Sequence, residues 1–335
     1  MIDPTIQAYS IALRGVPSRM WLSLHPGYDG SRAERQESNP AVPPPPLPRK
    51  WGGIVLALVA GVAFALSNVS ASLAYQGGSN PLTVSAFRFV LPAVVLIAWL
   101  GMRGVPLRLP GRAGWVAAAL GIITAVYNWA LLSAIGAIPL ALAILVFYLF
   151  PLVATVILAV AGWEKLRWPT GAAIVLAFAG LALALDPRGG NLDLTGVILA
   201  FGAALGLGVV IAVSSRLFGS GDSRPVTLHL TAVAGGVTIA FCAAYGGLAL
   251  PQTGLGWTGF AGTSVCYAFA LIAFFISVSM IGPVRALVLS YAEPVIAAGL
   301  GVVVLGEALG VGQIAGIALV VAALVGATLW QPRAH

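Results

Sequence analysis

The sequence predicts an all-α polytopic membrane protein: ten transmembrane helices forming two five-helix repeats of opposite orientation, with both termini cytoplasmic. Three observations carry that prediction. Of 335 residues, 59% are hydrophobic and 8% are charged, against about 25% charged in soluble domains. No Asp, Glu, Lys or Arg occurs in the 60 residues from Pro225 to Val284 or the 51 from Ala113 to Trp163. The two halves of the chain also align with each other. Spanning helices of about 20 apolar residues require such runs; a transmembrane β-barrel would alternate apolar and polar positions and is excluded.

Residues 1–50 come first. They hold six Lys/Arg, four acids and the run Pro43–Pro46, a composition that cannot bury a core and predicts a disordered, basic, proline-rich tail. No apolar stretch there is long enough for an ordinary cleavable signal, and Met20 is an alternative start. A linker and an SH3-type ligand are the two readings of the polyproline. From Trp51 onward the apolar segments run over 51–74, 81–101, 113–134, 138–160, 169–185, 195–216, 225–249, 257–280, 283–305 and 311–330. Gly/Pro-rich punctuation separates several of them, as at 77–81, 186–190, 221–225 and 251–256. The first repeat is 51–186 and the second 195–330.

Orientation follows from basic residues in the connections. With the N-terminus inside, 15 Lys/Arg lie on the cytoplasmic side, only Arg188 lies outside, and Arg88 falls within the second span. That split supports an even number of spans. The net charge of +7 therefore orients a membrane protein. It does not signal nucleic acid, because no basic cluster interleaves with aromatics. Arg outnumbers Lys by 15 to 2, a weak pointer to a GC-rich bacterial genome and so to a bacterial inner membrane. Cys242 and Cys266 sit in apolar segments as small core residues, and no disulfide framework is possible.

The repeat is visible at an offset of 144, where Gly52, Ile54, Ala60, Val69, Ser70, Leu73, Pro81 and Thr83 meet Gly196, Ile198, Ala204, Val213, Ser214, Leu217, Pro225 and Thr227. At 142, Gly114-Trp115 meets Gly256-Trp257, and at 143, Tyr148, Pro151, Glu164 and Leu166 meet Tyr291, Pro294, Glu307 and Leu309. Five spans per half make the second copy enter the membrane from the opposite side. Inverted repeats are the architecture of secondary transporters, in which one site opens alternately to each face.

The second half resembles the EamA domain of the drug/metabolite transporter superfamily, on Gly282-Pro283-Val284-Arg285-Ala286, Tyr291-Ala292-Glu293-Pro294, Leu305-Gly306-Glu307 and Gln313-Ile314-Ala315-Gly316. The first half carries a weaker version in Pro139, Tyr148, Pro151, Glu164 and Ala173, and the likeness covers about 51–330. It departs from the pattern at Phe150, where the second half has Glu293, at Ala173, where it has Gly316, and in the length of the tail. The resemblance implies ten helices, inverted halves, a central cavity and export of small metabolites, including amino acids and aromatic ones among them.

Features present in both halves serve the fold; features in one half are better candidates for substrate or ion chemistry. Pro151 and Pro294 each free a carbonyl, of Phe147 and Ser290, and mark kinks or hinges. Tyr148 and Tyr291 lie one turn earlier, as packing or cavity lining. Glu164 and Glu307, at span ends, satisfy loop amides or the start of the next helix. Glu293 is unmatched and lies mid-membrane, where a charge costs about 2.5 kcal/mol or more without a wet cavity or a partner. Its neighbours Ser290, Ala297 and Gly301 are small. A proton carrier, a site for a substrate amino group and a structural bridge are its three readings. Arg88 is unmatched too, opposite Ala232; it pairs with Glu293, meets a substrate carboxylate or snorkels. Thr124, Tyr127 and Asn128 share one helix face, toward the cavity or another helix. Asn68, beside Ser67 and Ser72, and Tyr267, beside Ser264, complete the candidate cavity set. Trp129 lies on another stripe, toward lipid; Arg285 is a cytoplasmic anchor and His229 structural. Gly202-x-x-x-Gly206 and Gly312-x-x-x-Gly316 predict close packing within the chain more than dimerisation.

No nucleotide loop, zinc spacing or Ser/His/Asp arrangement occurs, so no cofactor, no metal and no enzyme chemistry are expected. The expected partners are a small substrate and the bilayer, with no nucleic acid and the monomer as functional unit. A gradient supplies the energy, by proton coupling, exchange or facilitation. The alternatives are a multidrug or organic-cation exporter, a phosphorylated-sugar exchanger, which would need more embedded cations than Arg88, and a membrane-embedded enzyme.

Overall fold

Thirteen helices and no strand make up the described residues of the computed structural model, namely 47–105, 107–109, 111–163, 168–184, 193–218, 223–245 and 247–329. They are α1 (Leu47–Gln76), α2 (Pro81–Arg88), α3 (Val90–Met102), α4 (Gly111–Ala137), α5 (Leu140–Phe147), α6 (Phe150–Val160), α7 (Trp168–Ala184), α8 (Leu194–Phe218), α9 (Ser223–Tyr245), α10 (Gly254–Ile281), α11 (Pro283–Ser290), α12 (Ala292–Leu305) and α13 (Val311–Leu329). The tail up to Pro46, Glu164, Lys165, Arg167, Arg188 and Arg333 lie outside the described residues.

The helices follow the apolar segments, with three spans broken in two. Each break has the same cause. Pro92, Pro151 and Pro294 stand three residues after the breaks at Phe89, Tyr148 and Tyr291. Proline donates no N–H and crowds the carbonyl four residues back, here that of Arg88, Phe147 or Ser290. The helix loosens for a residue or two and resumes. The sequence reading had the kinks at Pro151 and Pro294 and missed that at Pro92. The segment read as 225–249 is helical only to Tyr245. Beyond it the chain pairs with the α1–α2 turn: Gln252 N–H donates to Gly77 O at 2.7 Å, Asn80 Nδ2 to Gly247 O at 2.7 Å, and Ser79 Oγ to Ala249 O at 2.8 Å.

Among the described residues, eight helices, counting the broken spans whole, are long and apolar enough to cross a membrane. The fifth and tenth predicted spans correspond to shorter apolar helices, Gly171–Ala184 and Val311–Ala327.

The packing carries the repeat. α1 lies along α10, and its counterpart α8 lies along α4. α1 also packs on α11 and α12, as α8 packs on α5 and α6. α7 packs on its own counterpart α13, and α2 and α3 on theirs, α9. Exchanging the halves returns most of the same neighbours, and most of the packing runs between halves. Counterparts are antiparallel, as an inverted repeat requires. The start of α2 is bonded to the residues after α9, and the start of α5 meets Glu307, just past α12.

Small residues allow these approaches. A Cβ on Gly316 would lie 2.5 Å from Gly180 O and 2.6 Å from Ala184 N, both backbone atoms. Neither can move alone, so Gly316→Ala is expected to cost about 1–3 kcal/mol through overpacking, read as a lower thermal midpoint in detergent. Gly206 makes room for the Tyr127 Cβ, which a Cβ on Gly206 would approach to 2.6 Å. Both glycines thus pack within the chain.

Candidate functional site

The three proline breaks supply the site. Arg88 ends α2 and Glu293 opens α12, so each charge sits at the helix terminus whose dipole favours it: the cation at a carboxyl end, the carboxylate at an amino end. Both are buried, Arg88 at 2% exposure and Glu293 at 5%. Buried charges of this kind require partners, and Asn68 in α1 links them. Arg88 Nη2 donates to Asn68 Oδ1 at 3.1 Å, and Asn68 Nδ2 donates to Glu293 Oε1 at 3.2 Å. Asparagine suits the place because its amide accepts from the cation and donates to the carboxylate.

Tyr148, at the break between α5 and α6, completes the carboxylate's shell. Its hydroxyl lies 2.6 Å from Glu293 Oε2 and 3.1 Å from Ser290 O, the carbonyl that Pro294 frees. The proline kink thus provides an acceptor that a continuous helix would have used internally. The Tyr267 ring of α10 lies 4.3 Å from the Arg88 guanidinium carbon, a cation–π contact. Phe64 and Phe89 meet that ring edge-on at 5.8 Å and 5.9 Å. Arg88 Nε and Nη1 are buried without a partner.

Of the sequence-predicted cavity residues, the structure joins Asn68, Arg88, Tyr148, Tyr267, Ser290 and Glu293 in this one chain of contacts. Tyr291 packs its ring on Tyr148 with centroids 6.1 Å apart. Tyr127 stacks on Phe147 at 6.4 Å, and Phe147 in turn meets Tyr148 edge-on. Asn128 is held apart, donating to Ser85 Oγ at 2.8 Å. Thr124 bonds back to Leu120 O of its own helix at 2.8 Å. Glu307 satisfies not the next helix, as the sequence suggests, but the start of α5 in the other half, accepting from Leu140 N at 2.7 Å. His229 is bonded within its own helix to Pro225 O at 2.8 Å. Trp129 and Arg285 are exposed.

Comparison with known proteins agrees with this arrangement. A solved crystal structure superposes with a TM-score of 0.61 at 24% identity, covering 83% of this chain and 96% of its own. At that identity the likeness is one of fold. No curated protein matches. The EamA-like transporter family matches residues 51–185 and, again, 194–329. Two halves with the same family pattern, interleaved and antiparallel, therefore place the chain in the EamA-like transporter family.

Proposed function

We propose that this transporter exports small zwitterionic metabolites, amino acids foremost, from the cytoplasm across a bacterial inner membrane. It does so as ten spans with both termini inside. The lengths of α7 and α13, 17 and 19 residues, correspond to about 25–29 Å. That is close to the apolar thickness of about 30 Å, and it supports counting both as spans. The charge asymmetry of the connections supports the orientation.

The observation that carries the reading is the buried Arg88–Asn68–Glu293 bridge with free donors at Arg88 Nε and Nη1. A substrate ammonium is bound by the Glu293 carboxylate, and its carboxylate by the free donors of Arg88. A zwitterion so held adds no net charge to the membrane interior. The loosened helices at Phe89, Tyr148 and Tyr291 let both groups move as the halves exchange conformation, which is alternating access. The energy comes from a gradient.

The test is the amino-acid content of medium from cells overproducing the protein. Enrichment of a few amino acids over empty-vector cells is expected, and it is expected to disappear in a Glu293→Ala strain with equal membrane abundance. A second reading rests on the aromatic rings of Tyr127, Phe147, Tyr148 and Tyr291 near Glu293: export of lipophilic organic cations. Resistance to such cations without amino-acid enrichment would favour it.

A further inference from the structure

The repeat predicts that every packed pair of helices has a counterpart; among the described residues several do not, and three of these are the most extensively packed. α5 packs on α12, but α11 does not pack comparably on α6. α1 packs on α4 and α2 on α4, whereas the equivalent pairs α8–α10 and α9–α10 make no comparable contact. Each of these three pairs is pinned by a hydrogen bond. Leu140 N donates to Glu307 Oε1 at 2.7 Å, Tyr75 Oη to Leu132 O at 3.1 Å, and Asn128 Nδ2 to Ser85 Oγ at 2.8 Å.

Two of these contacts lie at the membrane end marked by Gly77, Leu140 and Glu307, and Ser85–Asn128 lies on the way to it. The sequence itself breaks the symmetry at all three pins, since Tyr75 corresponds to Gly219 and Leu140 to Pro283, which has no N–H. At the offsets of the repeat, Ser85 corresponds to His229 and Asn128 to Ala270. Ala270 has no hydrogen-bonding side chain, and His229 is bonded to Pro225 O.

We propose that this is the state sealed at the Glu307 end, and that Glu307 is the positioning residue that latches the seal by holding the amino terminus of α5. On the orientation given above, the sealed end is the outer one and the substrate site loads from the cytoplasm. The latch is built from backbone geometry. Gly306, at a φ of +72°, turns the chain out of α12, and Glu307 N–H donates back to Gly301 O at 3.0 Å. That turn aims the carboxylate at the first N–H groups of α5, which have no partner within their own helix and carry the positive end of its dipole. Glu307 Oε2, however, is buried without a partner. Water satisfies that oxygen once the seal opens, so the latch holds through one oxygen and is opposed by the other. A gate that must open in every cycle requires such a balance.

The latch is testable without knowing the substrate. The experiment uses full-length protein with Cys242 and Cys266 replaced by alanine, in lipid nanodiscs and without ligand. Spin labels are placed at the exposed Ala137 and Val303 to report the sealed end, and at the exposed Trp163 and Arg285 to report the opposite one. The expected wild-type result is a dominant short Ala137–Val303 distance. Glu307→Ala is expected to shift population to a longer distance there and a shorter one at the opposite end. The equilibrium should move about tenfold or more, the worth of one hydrogen bond to a charged group.

Glu307→Gln is expected to lie nearer wild type than Glu307→Ala, since its amide oxygen still accepts from Leu140 N although the charge facing the helix dipole is lost. Gly301→Ala perturbs the same contact independently, because its Cβ would stand 2.5 Å from Glu307 Oε2. It is expected to act like Glu307→Ala and carries the test if that variant fails to fold. Unchanged distances in Glu307→Ala and Gly301→Ala overturn the latch, and so does a Glu307→Gln variant that behaves like Glu307→Ala. Either result leaves the substrate proposal standing, and a failed export assay leaves the latch standing.

Discussion

Glu293→Gln is expected to raise the half-saturating amino-acid concentration about 10- to 100-fold, the loss of one hydrogen bond to a charged group, while the protein still folds. The folded state tolerates the change for a specific reason. The glutamine oxygen can still accept from Asn68 Nδ2, and the Tyr148 hydroxyl can point its hydrogen to Ser290 O, 3.1 Å away. The ammonium partner alone is lost. Proteoliposome uptake against amino-acid concentration checks this, with and without an imposed pH gradient. If Glu293 also carries the coupling proton, the variant loses the response to the gradient yet still exchanges internal for external substrate. Wild-type saturation and full gradient response in the variant would remove Glu293 from both roles.

Arg88→Met is expected to be the more damaging single change. Methionine keeps most of the stem but removes the charge, the fork and the cation–π contact with Tyr267. It leaves the Glu293 carboxylate buried without its countercharge, which costs about 3–5 kcal/mol and lowers the thermal midpoint. Adding Glu293→Gln removes the orphaned charge, so the double variant is expected to recover a large part of that stability. Transport is expected to fall below detection in both variants, because the substrate carboxylate has no partner in either. Arg88→Lys separates charge from shape. A compact ammonium keeps the countercharge but cannot present a planar fork, so stability near wild type with weakened transport is expected. Thermal unfolding and uptake of the same preparations check all three.

Much of this was legible in the sequence because the membrane imposes it. Long apolar runs, prolines and unmatched charges are local signals, and the repeat multiplied them. The carriers of the unmatched charges, Arg88 and Glu293, were found by comparing the halves. What links them was not legible. Asn68 and Glu293 are 225 residues apart, and only the register of α1 against α12 brings them together. The break before Pro92 carried a readable sign, a proline within an apolar run, but its first-half position has no proline counterpart to draw attention to it. The sequence points Glu307 to a loop or to the next helix; the turn at Gly306 directs it instead to α5 in the other half. The turn residues Ser79, Asn80 and Thr83 passed as punctuation, although they join the two halves through Gly247 and Ala249. Thr124 shares a face with Asn128, but a threonine hydroxyl that reaches its own helix carbonyl leaves no trace in a periodicity.

The interleaving of the halves also bears on how the chain is made. At about 5–20 residues per second, the second half trails the first through the ribosome by roughly ten to thirty seconds. During that interval the helices of the first half stand in the bilayer with the faces they will later press on α8 to α13 still open to lipid. Arg88 is inserted early, together with Asn68, but its countercharge arrives only with α12. Until then the nascent chain holds a lone guanidinium within the membrane, served by one amide and whatever water and headgroups it can draw in. The finished bridge is therefore completed late in biogenesis, and a chain that stops short of α12 holds an unneutralised cation among its apolar helices.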